Sequence, residues 1–376
     1  MYRIVQPQRI LMGFGALSAL EEVVADLDPR RILVVTGPNV RRLGILDRAL
    51  ACMGPYRKTV ELFVNPKPDP DVAVVEECAR EVMESNCDLI VGLGGGSPMD
   101  VAKGAAVVAT HGGEMRPLLG RDTLRRNGIP AILIPTTSGS GTEVTQAAVV
   151  HVPEEGAKKS IWDPRATPYA AIVDPELAIS MPPRLTAETG LDALVHAIEG
   201  HTSTGATPMS RLYTLEAIRL IGAHLPKAYR NGSDREAREA MARAATLAGI
   251  GMSNAGLGAI HALALALDPR GLTHCQSVAV MAPWVVGFNA RGNEKLFAEV
   301  AQALTGDPGR VLHEELLRLL EGVGISPFLR DFGIIQWELD SLAVKAHRVG
   351  QRLLPTNIRE VTQEDVKAIF AQAYGA

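Results

Sequence analysis

The stretch that most restricts the architecture of this chain is Asp88-Leu89-Ile90-Val91-Gly92-Leu93-Gly94-Gly95-Gly96-Ser97. An apolar run that gives way at once to three glycines reads as a buried strand feeding a tight turn. The residues beyond it, 98–110, carry a helical pattern, and Pro98 suits a helix's first turn. Strand, glycine turn and helix in that order leave bare backbone N–H groups at a helix N-terminus, where a phosphate is favourably held. Glycine matters there because a β-carbon would hold the phosphate away and would penalise positive φ. A tight turn without a ligand uses the same local sequence. The pattern GxGxxG is missing, since Gly92-Leu93-Gly94 is followed by Gly95-Gly96-Ser97, so the turn departs from the usual dinucleotide fingerprint.

Further apolar runs flank this unit. Residues 31–36 and 59–64 read as strands, the second stopped by Asn65-Pro66-Lys67-Pro68. Residues 72–84 have helical spacing, with Val72, Val75, Ala79 and Val82 on one face, and residues 131–135 and 171–174 read as two more strands. Strands alternating with helices predict a parallel sheet covered on both faces. Past Met181-Pro182-Pro183 strand signals give way to helical ones, at 186–199, 210–220, 235–267 and 365–373. The chain of 376 residues therefore divides into an α/β domain over 1–180 and an all-helical domain over 181–376.

Composition narrows the class. At 47% hydrophobic and 21% charged residues there is apolar material for a substantial core, which excludes a mainly disordered chain. Lys plus Arg total 38 against 42 Asp plus Glu, a net charge of -4, so nothing marks the chain as a nucleic-acid or anionic-membrane binder. Four cysteines, Cys52, Cys78, Cys87 and Cys275, are too few and too scattered for a disulfide framework and fit a reducing cytoplasm. The N-terminus MYRIVQPQRILMGFG lacks a signal-peptide core. Residues 248–267 contain no Asp, Glu, Lys or Arg and reach bilayer length. They also hold Ser253, Asn254, His261, Gly249, Gly251, Gly256 and Gly258, so a helix buried in a globular protein is expected.

Two further groups carry chemistry. Pro135-Thr136-Thr137-Ser138-Gly139-Ser140-Gly141-Thr142 follows a strand and is rich in hydroxyls, which suit a pyrophosphate or a nicotinamide ribose and equally an ordinary solvated loop. Two such loops after strands of one sheet point to a nucleotide at the strands' carboxyl ends. Asp192 and His196 are four apart and share a helix face; His261 lies within the uncharged run, and His274 follows a break at Asp268-Pro269-Arg270-Gly271. One carboxylate and three imidazoles suit Zn²⁺ or Fe²⁺. Each histidine singly also fits a hydrogen-bonded core residue, and spacing alone does not bring the four together. His111, His151, His201, His224, His313 and His347 have no comparable setting and read as surface or structural.

Gly94 to Lys103, the threonine loop, Gly190-Leu191-Asp192-Ala193-Leu194-Val195-His196-Ala197-Ile198-Glu199-Gly200 and Gly258-Ala259-Ile260-His261-Ala262-Leu263 together resemble the iron-containing (group III) alcohol dehydrogenase family, in family order and over essentially the whole chain. The resemblance implies an N-terminal dinucleotide-binding α/β domain, Rossmann-like but non-standard, and a helical C-terminal domain, with metal and substrate in the cleft. It implies Asp192, His196, His261 and His274 as ligands of Fe²⁺ or Zn²⁺, through which they act in catalysis. Gly94, Gly95, Gly96, Ser97 and Pro98 fall on the pyrophosphate turn and Asp100 on its helix; Thr136, Thr137, Ser140, Asn65, Lys158 and Leu177 match cofactor-contact positions. The implied reaction is reversible hydride transfer between a small alcohol and NAD or NADP, in a cytoplasmic homodimer or larger homo-oligomer.

Departures from the family pattern refine this. NAD-preferring members carry an aspartate just after the first strand, where this chain has Gly37, with Arg41 and Arg42 close behind. Losing that carboxylate removes a repulsion against a 2′-phosphate, and arginine holds phosphate well, so NADP acceptance is predicted. Cys275 follows the fourth ligand position where relatives have glycine and is an alternative Zn²⁺ thiolate. Leu265 stands where many relatives have a second histidine, which weakens any proton relay there, and Gln146 and Met252 stand where relatives often have larger residues. Glycerol dehydrogenases, dehydroquinate synthases and maleylacetate reductases share the layout. Ser97-Pro98 argues against the dehydroquinate synthases and the retained ligand set against the maleylacetate reductases.

Overall fold

The computed structural model describes residues 1–65, 67–267 and 271–375. The expected stop at Pro66 and the expected break over 268–270 lie outside them. The chain forms two compact units, Val5–Ser180 and Met181–Ala376, with Met1–Ile4 grouped with the second.

The strands of the first unit, in chain order, are β1 (Arg9–Met12), β2 (Ile32–Thr36), β3 (Val60–Val64), β4 (Leu89–Gly94), β5 (Gly120–Arg121), β6 (Ala131–Pro135), β7 (Ala147–Val152), β8 (Ala157–Trp162) and β9 (Ala170–Val173). Its helices are α1 (Leu20–Ala25), α2 (Pro38–Arg42), α3 (Ile45–Ala51), α4 (Val72–Glu84) and α5 (Gly96–Thr110). Six strands make a parallel sheet in the order β1-β9-β6-β4-β2-β3. Leaving out the edge strand β1, the order is the 2-1-3-4-5 of doubly wound folds, with its switch point between β2 and β4.

Both sheet faces are covered, which explains why the strands read as continuous apolar runs rather than as alternating ones. Leu33, Val35, Ile90 and Leu133 pack with Val75 and Val82 of α4 and Val101 and Ala105 of α5. Their neighbours Ile32, Val34, Leu89, Val91 and Ile132 face the other way, onto Leu20 and Val23 of α1 and Leu46 of α3. The five strands expected from sequence are present, as is the helix at 72–84. The sequence reading has no counterpart for β1, or for the smaller sheet β5-β8-β7, in which β7 and β8 are antiparallel.

The second unit is helical: α6 (Pro183–Thr202), α7 (Pro208–Arg230), α8 (Arg235–Ala255), α9 (Ala259–Ala264), α10 (His274–Ala290), α11 (Glu294–Thr305), α12 (Leu312–Gly322), α13 (Leu339–Gly350) and α14 (Gln363–Tyr374). They share one apolar core, to which Leu191, Val195, Ile221, Leu263, Val280 and Phe370 belong. One expectation is corrected here. The continuous helix over 235–267 is two helices, because α8 stops at Ala255 and Gly256 takes φ +93°, a conformation that ends a helix at little cost only for glycine. Among the described residues no helix is long and apolar enough to cross a membrane.

Candidate metal centre and nucleotide loops

In the first unit the glycine turn lies where β4 hands over to α5. Gly94 has φ +152°, and a β-carbon on it would come within 2.6 Å of Pro98 Cγ, so backbone conformation and space both demand glycine. Helix α5 begins at Gly96, two residues before the expected Pro98, and no side chain caps it. Its first N–H groups therefore face outward from the sheet's carboxyl edge, the arrangement that attracts an anion. The hydroxyl loop touches this turn: Thr136 N donates to Gly94 O at 2.8 Å, Gly95 stands against the Thr137 side chain, and Gly96 against Ser140 Oγ. The Ser97 hydroxyl donates to the carbonyl of Pro68.

The other expected cofactor residues are placed around these loops or in the core. Gly37 follows β2 and precedes α2, and a β-carbon there would meet only Pro98 Cγ, at 3.8 Å, so a side chain has room. Arg41 and Arg42 are exposed on α2, with Arg42 bonded to Asn39. Asn65 is buried, and its Oδ1 accepts from Lys67 N. Lys158 pairs with Asp69 at 3.0 Å, while Leu177 packs its side chain into the core. Asp100 accepts the Val149 N–H, and its Oδ1 is buried without a hydrogen-bond partner among the described residues. Burial pushes its carboxyl up and the ammonium of Lys103 down, and each charge offsets part of the other's shift. Lys103 is a residue to which sequence reasoning assigned no role: its Nζ donates to Thr142 O, Thr145 O and Thr145 Oγ1 at 2.8–2.9 Å and so holds the far end of the hydroxyl loop.

In the second unit α6 acts as the frame of the candidate metal centre. Glu188, Asp192, His196 and Glu199 recur at helical spacing and share one face. Asp192, His196 and His261 are buried and offer ligand atoms that all lie within 4.8 Å of one another. The rings of His196 and His261 stack at 4.7 Å, and His274 stands beside His261 at 5.6 Å, tilted by 48°. His274 opens α10, whose start is fixed by the Thr273–Gln276 capping box and by Glu188, which accepts from Gln276 Nε2 at 2.8 Å.

The local electrostatics favour ligands ready to bind. Burial pushes the His196 imidazole down to about 4, so at neutral pH its ring is uncharged and keeps a lone pair. For Asp192, burial acts to raise the carboxyl, yet His196, His274, His261 and a hydrogen bond from Cys275 together hold it below its ordinary value. Among the described residues Asp192 Oδ1 is buried with no hydrogen-bond partner, and His196 Nε2 and His261 Nε2 stand 3.9 and 3.8 Å from it. Such an atom costs stability unless something satisfies it, and a cation held by oxygen and nitrogen donors does so.

Residues 7–175 match the family description iron-containing alcohol dehydrogenase, and residues 186–374 match the C-terminal part of the same family. The chain is 38% identical to long-chain-alcohol dehydrogenase 1 of Geobacillus thermodenitrificans (strain NG80-2), over 99% of this chain and 96% of that protein. It is 32% identical to the NAD-dependent methanol dehydrogenase of Bacillus methanolicus, with 98% of each covered. The solved structure of an alcohol dehydrogenase from Oenococcus oeni superimposes with a TM-score of 0.94 at 30% identity and full coverage of both chains. The chain belongs to the iron-containing alcohol dehydrogenase family. It is a nicotinamide-linked alcohol oxidoreductase.

Proposed function

We propose that Asp192, His196, His261 and His274 hold one divalent cation, Fe²⁺ or Zn²⁺, at which small alcohols and their aldehydes are interconverted with NAD or NADP. The observation that carries this reading is the convergence of Asp192, His196 and His261 in a buried setting, where Asp192 Oδ1 has no hydrogen-bond partner among the described residues and faces His196 Nε2 and His261 Nε2. When bound, the cation polarises the substrate oxygen and the nicotinamide exchanges the hydride.

The chain's own residues do the binding and orienting. The uncapped start of α5, with Gly94, Gly95, Gly96, Ser97 and Pro98, receives the pyrophosphate, and Thr136, Thr137 and Ser140 supply hydroxyls beside it. Asn65, Asp100, Lys158 and Leu177 complete the cofactor set. Residues 1–180 thus serve the dinucleotide and residues 181–376 the metal and substrate. Acceptance of NADP is supported by Gly37, where space for a carboxylate exists and none is present, and by exposed Arg41 and Arg42. Four free cysteines support a cytoplasmic setting. A homodimer or larger homo-oligomer is proposed from the family resemblance, and light scattering reads the oligomeric state directly.

The test is to strip the protein of metal, reload it with Fe²⁺ or Zn²⁺ without oxygen, and assay aldehydes from formaldehyde to long-chain with NADPH and NADH. Activity that vanishes and returns with metal supports the reading; undiminished turnover in metal-free protein contradicts it.

A further inference from the structure

We infer that Glu199 is a positioning residue of the metal centre: its carboxylate fixes the tautomer and the orientation of the His261 ring. The inference rests on the metal reading above and deepens it. Glu199 lies on α6, on the face that carries Asp192 and His196, and is buried. Each of its oxygens is committed to the short helix α9. Oε1 accepts Ile260 N at 2.6 Å, and Oε2 lies 2.6 Å from His261 Nδ1.

A carboxylate has acceptors only, so Nδ1 must carry the proton in this pair. A neutral imidazole protonated on Nδ1 keeps its lone pair on Nε2, and that nitrogen is 3.8 Å from Asp192 Oδ1, inside the ligand cluster. The hydrogen bond also makes Nε2 a stronger donor to a cation, the usual effect of a carboxylate placed behind a ligating histidine. Helix α9 has no side-chain cap of its own at Gly258. Its first N–H groups are held instead by Glu199 and by Asn357, whose Oδ1 accepts Ala259 N at 3.1 Å. At Gly258 a β-carbon would fall 2.8 Å from Asn357 Oδ1 and 3.2 Å from Glu199 Oε1, so this close approach requires glycine. Glu188 offers an internal contrast: it steadies the start of α10 through Thr273 and Gln276 and, among the described residues, bonds no imidazole.

The test substitutes Glu199→Gln, which keeps the size and one carbonyl acceptor. Its amide N–H₂ must face either Nδ1, which then turns from donor to acceptor and moves the proton to Nε2, or the Ile260 N–H, where two donors oppose. Two readouts are used: ¹⁵N NMR of the histidine rings in metal-free protein, and Zn²⁺ and Co²⁺ affinity by competition with a chromophoric chelator. In wild type the His261 ring is expected as the Nδ1–H tautomer. In Glu199→Gln affinity falls by about 10–100-fold in either orientation, with the Nδ1–H signal lost where the amide N–H₂ faces the ring and kept where it opposes Ile260 N–H, whereas Glu188→Gln keeps both the wild-type tautomer of His261 and the wild-type affinity. Wild-type tautomer and affinity in Glu199→Gln overturn the inference. So does an Nε2–H tautomer in the wild-type protein, which needs no variant to fold. Failure of the metal reading looks different: wild type binds neither ion, or binds both as well after Asp192→Ala.

Discussion

The two candidate binding regions of this protein are built on opposite plans. The nucleotide loops are made mostly of backbone: a strand end, a glycine with φ +152° and an uncapped helix start, all within a few consecutive residues. The candidate metal centre draws on side chains from α6, α9 and α10, with His261 sixty-nine residues beyond Asp192 and His274 thirteen further on. A backbone site needs only the right local conformation. A side-chain site needs its distant pieces held in register, and Glu199 and Glu188 on α6 do this by gripping the first turns of the helices that bring His261 and His274.

The contrast is broken most severely by His261→Ala. Bound metal should drop to background in elemental analysis, and kcat/KM for aldehyde reduction should fall by about a thousandfold or more, as befits loss of a Lewis acid. NADPH affinity, read by fluorescence titration, should stay near wild type. The reciprocal variant is Gly94→Ala. The added β-carbon meets Pro98, and the strained backbone should cost about 1–3 kcal/mol of stability. Cofactor affinity should weaken while Zn²⁺ affinity is kept. Equal damage to both affinities from either variant would erase the distinction.

How much of each region was legible in the sequence follows the same line. The glycine turn, the strand at 131–135 and the helix at 72–84 could be read directly, because apolar runs, period and turn residues are local signals. The i, i+4 pair of Asp192 and His196 was equally readable. β1 was not, since Arg9–Met12 is a four-residue edge whose partner, β9, lies about 160 residues away. Nor was the break between α8 and α9, because glycines within an uncharged helical pattern do not by themselves mark an end. Glu199 stood in plain view, but a lone carboxylate in a helix ordinarily faces water, and its partners are 61 and 62 residues distant.

A smaller effect sharpens the account of cofactor choice. Gly37→Asp puts a carboxylate into open space at the end of β2 and should lower kcat/KM with NADPH relative to NADH by about tenfold or more through like-charge repulsion. An unchanged ratio would remove Gly37 from the argument. The smallest effect belongs to a residue outside both regions. Asp71 caps α4 by accepting from Val74 N, and Asp71→Ala should cost about 1 kcal/mol, or about 2–4 °C in Tm. Its hydrogen bond to Lys67 holds the Asp71 carboxyl below its ordinary value. That share of stability is therefore present in full at neutral pH and fades as pH falls through the lowered value, so the gap between variant and wild type should close in acid.

Anomalous diffraction from crystals of protein reloaded with Zn²⁺ or Fe²⁺ tests the central claim most directly. The account predicts one strong metal peak bounded by Asp192, His196, His261 and His274, with ligand distances of about 2.0–2.2 Å. A peak elsewhere, a peak bound through Cys275 in place of His274, or no peak in fully active crystals would contradict it.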